Sequence, residues 1–115
     1  MPYEVAAKTL MLEQLRRAIS HISLHNGIPG RSTEIAGDDY ARQRAEFHNP
    51  ANGRMRLSEK QSFEVPHGAT VTHAGFWTSA TGGVLLAWAP VREASFDKSA
   101  GVYWVDSGML DLNLE

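Results

Sequence analysis

The segment that most constrains the fold covers residues 63–88, with the sequence FEVPHGATVTHAGFWTSATGGVLLAW. It is rich in β-branched and aromatic residues and is interrupted by two turn signals, Pro66-His67-Gly68 and Gly82-Gly83. This combination is typical of antiparallel strands joined by short turns. The segment contains no nucleophile motif, cluster of metal ligands or phosphate-binding loop. We therefore expect a β-rich chain that acts through packing and surface contact, and we do not expect an enzyme.

Only residues 4–19 show a convincing helical period. Their apolar side chains recur at helical spacing, which predicts that one face of the helix packs on a core. The residues on that face are Ala7, Met11, Leu15 and Ala18. Arg16 and Arg17 lie near the C-terminal end, where positive charge is favourable to the helix dipole.

The rest of the chain predicts seven or eight short strands separated by turn-forming residues. These strands cover residues 21–25, 40–47, 54–57, 61–65, 70–79, 84–88, 102–105 and 110–114, although residues 40–47 also fit a helix. The continuous apolar run at residues 84–88 predicts a strand covered on both faces. The polar residues 30–39 predict a surface loop.

We predict an all-β fold, an antiparallel β-sandwich of jelly-roll type with one N-terminal α-helix. Residues 1–20 form an N-terminal arm and helix, and residues 21–115 form the sandwich domain. Strict alternation along residues 70–79 predicts that four side chains share one face, namely those of Val71, His73, Gly75 and Trp77.

Composition excludes several classes of function. The chain of 115 residues has 11 Lys+Arg and 13 Asp+Glu, so its net charge of −2 lacks the basic character of nucleic-acid binders. It contains no cysteine, which excludes disulfides and thiolate metal sites. We see neither a secretion signal nor an apolar run of about 20 residues, so we expect synthesis in the cytoplasm and no membrane partner.

The histidines do not predict a metal site, and we expect no cofactor. His21 and His25 share a face of a predicted strand but lie about 13 Å apart along it, too far for one ion. The acidic residues Glu34, Asp38 and Asp39 lack the spacing of a calcium loop, which favours a solvated turn. Serine, histidine and aspartate all occur, but no nucleophile elbow accompanies them.

The three tryptophans allow two interpretations. Trp77, Trp88 and Trp104 either fill the core, as aromatic residues usually do in small sandwiches, or form a stacking surface for carbohydrate. The second interpretation requires that at least one of the rings is exposed.

Four motifs in fixed order resemble a known family. They are SLHNGIPG (residues 23–30), YARQ (40–43), FEVPHGATVTHAGFW (63–77) and ATGG (80–83). This succession resembles small structural proteins of tailed-bacteriophage virions, which are named as minor tail, tail-fibre or head-decoration proteins. The similarity runs from about His21 to the C-terminus, and it implies a virion structural role.

The leading hypothesis from this resemblance is a capsid decoration protein that binds the outer surface of the head. Its partner is then the major capsid protein, and local symmetry in the head lattice favours a homotrimer. The second hypothesis is a minor tail or tail-fibre component that contributes to host adsorption. The third is a small carbohydrate-binding module.

Polar and terminal segments outside the predicted sheet are the candidates for partner contact. The candidate residues are Tyr3, Glu4, Arg16, Arg17, Arg31, Glu34, Asp38 and Asp39. We also expect Arg42 to hold a loop carboxylate, such as Asp38 or Asp39, through a bidentate contact that lysine would not reproduce.

Overall fold

A computed structural model describes residues 4–29, 33–51, 54–105 and 111–113. It contains helix α1 (Val5–Ala18) followed by eight strands. The strands are β1 (His21–His25), β2 (Gln43–Arg44), β3 (Arg54–Arg56), β4 (Gln61–Val65), β5 (Thr70–Trp77), β6 (Leu85–Ser95), β7 (Gly101–Val105) and β8 (Asp111–Asn113). The N-terminal helix and the mostly β character of the chain are therefore as predicted.

All the strand pairs in the described residues are antiparallel. One sheet has four strands in the order β2-β1-β5-β6, and two further sheets pair β3 with β8 and β4 with β7. These pairings confirm an antiparallel β-fold with one helix. They do not confirm the jelly-roll topology, which stays a prediction.

The core draws side chains from the four-stranded sheet and from the β4–β7 pair. The first sheet contributes buried apolar residues such as Ile22, Leu24 and Phe76, and the second contributes Phe63 and Val105. All five belong to one hydrophobic cluster. Burial of this apolar surface is the main term that stabilises the fold.

Strand β5 does not alternate as strictly as the sequence predicts. Val71 is buried together with Ala74 and Phe76, whereas strict alternation places Val71 on the opposite face. The reason is a register shift between Val71 and His73, where β5 pairs with β6. A β-bulge of this kind changes which side chains share a face.

Strand β6 is longer than predicted and is not covered on both faces. It forms one edge of its sheet, and none of its residues is buried. Val84, just before it, and Trp88 within it are exposed. The apolar run at residues 84–88 is therefore divided: Leu86 and Ala87 are partly buried and pack against the core, whereas Val84 and Trp88 contribute to the surface.

The helix packs through a different face from the one predicted. Leu12 is buried in α1, whereas Met11 is exposed. Leu15 packs against the core, and the buried Ile19 continues the stripe seven residues after Leu12. The contact of α1 with β3 therefore rotates the buried face by one residue from the predicted one.

Two other segments also differ from their predictions. Residues 40–47 contain only the short β2 and an isolated bridge at Phe47. The predicted surface loop at residues 30–39 pairs partly with β1, since the Ile35 N–H donates to the Leu24 carbonyl at 2.9 Å. Ile35 is buried because of this pairing.

The predicted turns at Pro66-His67-Gly68 and Gly82-Gly83 are confirmed. Gly68 has a φ of 91°, and Gly82 and Gly83 have φ values of 58° and 75°. Other residues rarely adopt positive φ, so glycine suits these positions. The second turn brings β6 back beside β5.

Candidate functional site

The four sequence motifs converge on one polar network on the β1–β5 sheet. Ser23 lies opposite Gly75 in this strand pair, and His25 lies opposite His73. The Ser23 hydroxyl lies 2.6 Å from His25 Nε2 and accepts a hydrogen bond from Trp77 Nε1 at 2.7 Å. Ser23 and His25 are both buried, so this part of the network is closed to solvent.

Arg42 joins three of the motifs. Its Nε and Nη2 atoms donate to the two carboxylate oxygens of Glu34 at 3.0 and 2.9 Å. Its Nη1 atom donates to the carbonyls of Ser79 and Gly82 at 3.2 and 2.9 Å. Its guanidinium carbon lies 3.8 Å from the ring centroid of Trp77. Arg42 therefore fixes the turn after β5 to the loop before β2.

Glu34, rather than Asp38 or Asp39, is the carboxylate that Arg42 holds, so that part of the sequence prediction is wrong. Asp38 and Asp39 lie in an exposed bend. Glu34 forms a bridge with His25 at the end of β1, and this pairing places its carboxylate beside Arg42. The bidentate geometry itself is as predicted.

Tyr40 links the network to the core. Its hydroxyl donates to Glu34 Oε2 at 2.9 Å and accepts from the Leu24 backbone N–H at 3.0 Å. Its ring stacks on Phe63 with centroids 6.2 Å apart. Burial is the main cause that raises the pKa of Tyr40 far above its usual value, so the hydroxyl stays protonated.

The charge states of the network follow from burial and hydrogen bonding. Burial lowers the pKa of His25 to about 4, although the nearby Glu34 opposes this shift. Burial acts to raise the pKa of Glu34, but hydrogen bonds from Arg42 and Tyr40 lower it below its usual value. Near neutral pH, His25 is therefore neutral and Glu34 is ionised.

Ser23 and His25 resemble a nucleophile and its base only superficially. A neutral His25 accepts from Ser23 at Nε2 and donates from Nδ1 to the Thr33 hydroxyl at 3.0 Å. A hydroxyl therefore stands where a catalytic triad has a carboxylate. Both side chains are buried, and the Ser23 oxygen already accepts from Trp77. The arrangement supports a structural role.

Glycine is required at position 75 because side chains of the polar network lie close to its Cα atom. A Cβ atom at this position would lie 2.9 Å from both His25 Nε2 and Ser23 Oγ, and 3.0 Å from Leu85 Cδ1. Glycine therefore gives the buried hydroxyl and imidazole the space they occupy.

The predicted contact residues do not form a single site. Tyr3 and Arg31 lie outside the described residues. Glu4 is exposed at the N-terminus of α1, and Glu34 belongs to the polar network. Asp38 and Asp39 line a cavity of about 260 Å³ beside Pro66. Only Arg16 and Arg17 lie together at a larger cleft.

This cleft, which we call the arginine cleft, lies between the C-terminal end of α1 and strand β2. Its volume is about 590 Å³. Its basic and hydroxyl-bearing residues are Arg16, Arg17, Ser20, His21, Arg44 and Ser58. The helical positions of Arg16 and Arg17 make them candidates from the sequence. Arg44, His21 and Ser58 carry no such signal, because only the tertiary fold brings these residues beside the helix.

Two of the three tryptophans are exposed on different strands. Trp88 on β6 has 45% of its surface exposed, and Trp104 on β7 has 50%. The Trp88 ring makes an edge contact with His73, with centroids 5.6 Å apart, and Lys60 lies 5.1 Å from the Trp104 ring centroid. Trp77 is partly buried in the polar network. The condition for the carbohydrate-stacking interpretation is therefore met by Trp88 and Trp104.

The described residues include no group of three or more His, Asp or Glu side chains placed to hold a metal ion. His21 and His25 have separate partners, the Ser20 hydroxyl at 2.8 Å and the Ser23 and Thr33 hydroxyls. No described helix is both long and apolar enough to span a bilayer.

A family model described as podophage GP4 fiber I protein gp80 matches residues 17–113. No curated protein matches the chain. The family match covers all eight strands and the whole polar network. The resemblance to phage virion proteins is therefore confirmed: the chain belongs to the gp80 family of podophage GP4 fiber I proteins, and it is a bacteriophage structural protein.

Proposed function

We propose that this protein is a non-catalytic component of the phage tail fibre and contributes to host adsorption. The observation that carries the proposal is the family match over residues 17–113, whose description names a fibre protein. The fibre hypothesis was the second of those that the sequence resemblance implied. The family match now favours it over capsid decoration.

The polar network supports a structural role for the four motifs of this chain. The motif residues Ser23, Tyr40, Arg42 and Trp77 bond to one another or to their neighbours inside the fold. Groups used in this way hold a rigid β-module and are not offered to a substrate. A module of this kind suits a fibre, whose parts must transmit contact without changing shape.

The location of the protein in the virion tests the proposal. Purified phage is disrupted, heads are separated from tails by density, and the protein is quantified in each fraction by mass spectrometry. A few copies that follow the tail fraction support a fibre component. Many copies that follow the major capsid protein support the decoration hypothesis, in which the capsid exterior is the location.

The homotrimer remains part of the proposal, because a fibre and a local symmetry axis both repeat identical contacts. The mass of the purified chain in solution tests it. A single species of three copies is expected, and a monomer at micromolar concentration contradicts it.

Carbohydrate binding is a second candidate function, favoured by the exposed rings of Trp88 and Trp104. Exposed tryptophans stack on the apolar faces of sugars and are not needed at the surface for stability. Quenching of tryptophan fluorescence by a neutral oligosaccharide tests this candidate. Loss of the response in Trp88→Ala or Trp104→Ala supports it, and no response in the unmodified chain argues against it.

A further inference from the structure

We propose that the arginine cleft binds the anionic group of a bacterial surface saccharide, a phosphate or a carboxylate carried on a sugar. This inference rests on the proposed role in adsorption and names the class of ligand. It concerns a different surface from the exposed tryptophans.

The cleft has the size and lining of a ligand site. Its volume of about 590 Å³ falls within the range of small-molecule pockets, roughly 300–1,000 Å³. Three arginines line it from two elements, Arg16 and Arg17 from α1 and Arg44 from β2. Guanidinium groups bind carboxylate and phosphate oxygens through paired, parallel hydrogen bonds.

Much of the hydrogen-bonding capacity of these arginines is not used within the described fold. The side chain of Arg44 is 77% exposed, and its ion pair with Glu46 involves Nε at 3.4 Å. The side chain of Arg17 is 66% exposed, and its Nε lies 3.5 Å from Glu13 Oε1. Both guanidiniums therefore have terminal N–H groups that can donate to an incoming anion.

Arg16 lines the arginine cleft but is held within the helix by Glu13. Its Nη2 atom pairs with Glu13, but its Nε atom is buried without a hydrogen-bond partner among the described residues. Buried donors nearly always have an acceptor, and leaving one unmade costs free energy. Because this Nε atom has almost no accessible surface, it is not offered to a ligand, and the terminal N–H groups of Arg17 and Arg44 are the donors that the cleft presents.

The electrostatic environment of the cleft is consistent with anion binding. Burial is the largest cause that lowers the pKa of His21, and the positive charges of Arg44 and Arg42 lower it further. Glu46 also lines the cleft, and the C-terminal end of α1 carries partial negative charge. These opposing charges predict modest affinity, in the millimolar range for one anionic sugar.

The shape of the cleft favours a saccharide over an acidic face of another protein. The cleft is concave, and Ser20 and Ser58 line it together with the arginines. Serine and arginine side chains together can hydrogen-bond to a sugar that carries both hydroxyl and anionic groups. Protein interfaces are broader and flatter, usually burying about 800 Å² on each partner.

Titration of the full chain with small probes tests the proposal. Glucose 6-phosphate and glucuronate are added separately, with glucose as the neutral probe, and binding is followed by NMR at the His21 ring. Either anionic sugar is expected to shift the His21 signals and to raise its pKa, because a bound anion stabilises the imidazolium. Glucose is expected to leave the signals unchanged. No response to either anionic sugar overturns the proposal.

Variants locate the site. The double variant R17A/R44A is expected to weaken binding at least tenfold, whereas R92A, which removes an exposed arginine of β6, is expected to bind as the unmodified chain does. Equal losses in the two variants overturn the assignment to the arginine cleft. Unchanged melting temperatures show that the variants remain folded.

Two further probes separate the sugar from other anions. If inorganic phosphate binds as tightly as glucose 6-phosphate, the saccharide assignment is wrong and the cleft is a site for free anions. If hexaglutamate binds more tightly than either sugar, the saccharide assignment is also wrong, and the partner is an acidic segment of a protein. Sugar binding by a protein located on the capsid would contradict the fibre function while leaving the cleft assignment intact.

Discussion

The Arg42 guanidinium stacks on the Trp77 ring at 3.8 Å while both of its edges are occupied by acceptors. One edge binds the Glu34 carboxylate, and the other binds two backbone carbonyls of the turn after β5. One side chain therefore holds the loop at Glu34 against the end of β5 and the turn that follows it. A lysine would provide neither the paired N–H donors nor the flat stacking face that these contacts use.

We expect Arg42→Lys to lower the free energy of unfolding by about 1–3 kcal/mol, because lysine provides neither the bidentate contact nor the flat stacking surface. Denaturant unfolding measures the change. The matched control is Arg44→Lys, whose exposed position predicts a change within about 0.5 kcal/mol. Equal effects of the two substitutions contradict the role given to Arg42.

Acid is expected to destabilise the fold through His25. The pKa of its buried ring is about 4 in the folded chain and 6.5 without burial, so the unfolded chain binds the proton first as the pH falls. Stability is fully present above pH 6.5 and falls by roughly 3 kcal/mol towards pH 4. Unfolding by denaturant at a series of pH values measures this slope.

The variant His25→Gln is expected to flatten the slope between pH 6.5 and 4, although it is less stable at every pH. His48→Gln, at an exposed position, is expected to keep the slope. If the stability of His25→Gln still falls between pH 6.5 and 4, another group takes up the proton.

Glu34 acts at lower pH than His25. Its pKa is lowered in the folded chain, so the stability it contributes is present above pH 4.5 and is lost as the pH falls through the folded value. Glu34→Gln is expected to remove this part of the acid dependence and to destabilise the fold near neutral pH, because Arg42 loses its charged partner. Comparison of unfolding free energies at pH 7 and pH 3 measures both effects. An unchanged stability at pH 7 contradicts the structural role of the ion pair.

Gly75→Ala is expected to cost about 1–3 kcal/mol, since the added methyl group would lie within 3.0 Å of three side chains. Gly27→Ala is the control, because its nearest contact would be Thr33 Cγ2 at 3.4 Å. Thermal unfolding of the two variants compares them directly. A melting temperature for Gly75→Ala equal to that of Gly27→Ala contradicts the close packing at β1–β5.

Trp77→Ala is expected to cost about 3 kcal/mol, since it removes a large, partly buried ring and leaves Ser23 without its donor. Trp88→Ala is expected to cost much less, because nearly half of that ring is exposed. Denaturant unfolding measures both changes. If Trp77→Ala lowers the free energy of unfolding by less than about 1 kcal/mol, the ring does not have the structural role given to it.

Local signals in the sequence predict most of the secondary structure. The helical period at residues 4–19 and the turn glycines Gly68, Gly82 and Gly83 lead to the correct elements because each depends on neighbouring residues. The features that differ depend on tertiary contacts. The bulge after Val71, the exposed edge position of β6 and the Leu12 face of the helix are set by which elements lie beside them.

The polar network was only partly predictable for the same reason. The sequence indicates an arginine that needs a carboxylate, and Asp38 and Asp39 are nearer to Arg42 along the chain than Glu34 is. The pairing of Glu34 with His25 decides the partner, and this pairing depends on the folded loop. The arginine cleft similarly requires residues from α1, β2 and the segment after β3.

Cryo-electron microscopy of the purified virion is the most direct test of the fibre function. Density for this β-module is expected in the fibres attached to the tail, with few copies in each particle. Regular density for the module on the capsid exterior, with many copies beside the major capsid protein, would contradict the fibre function and support a decoration protein.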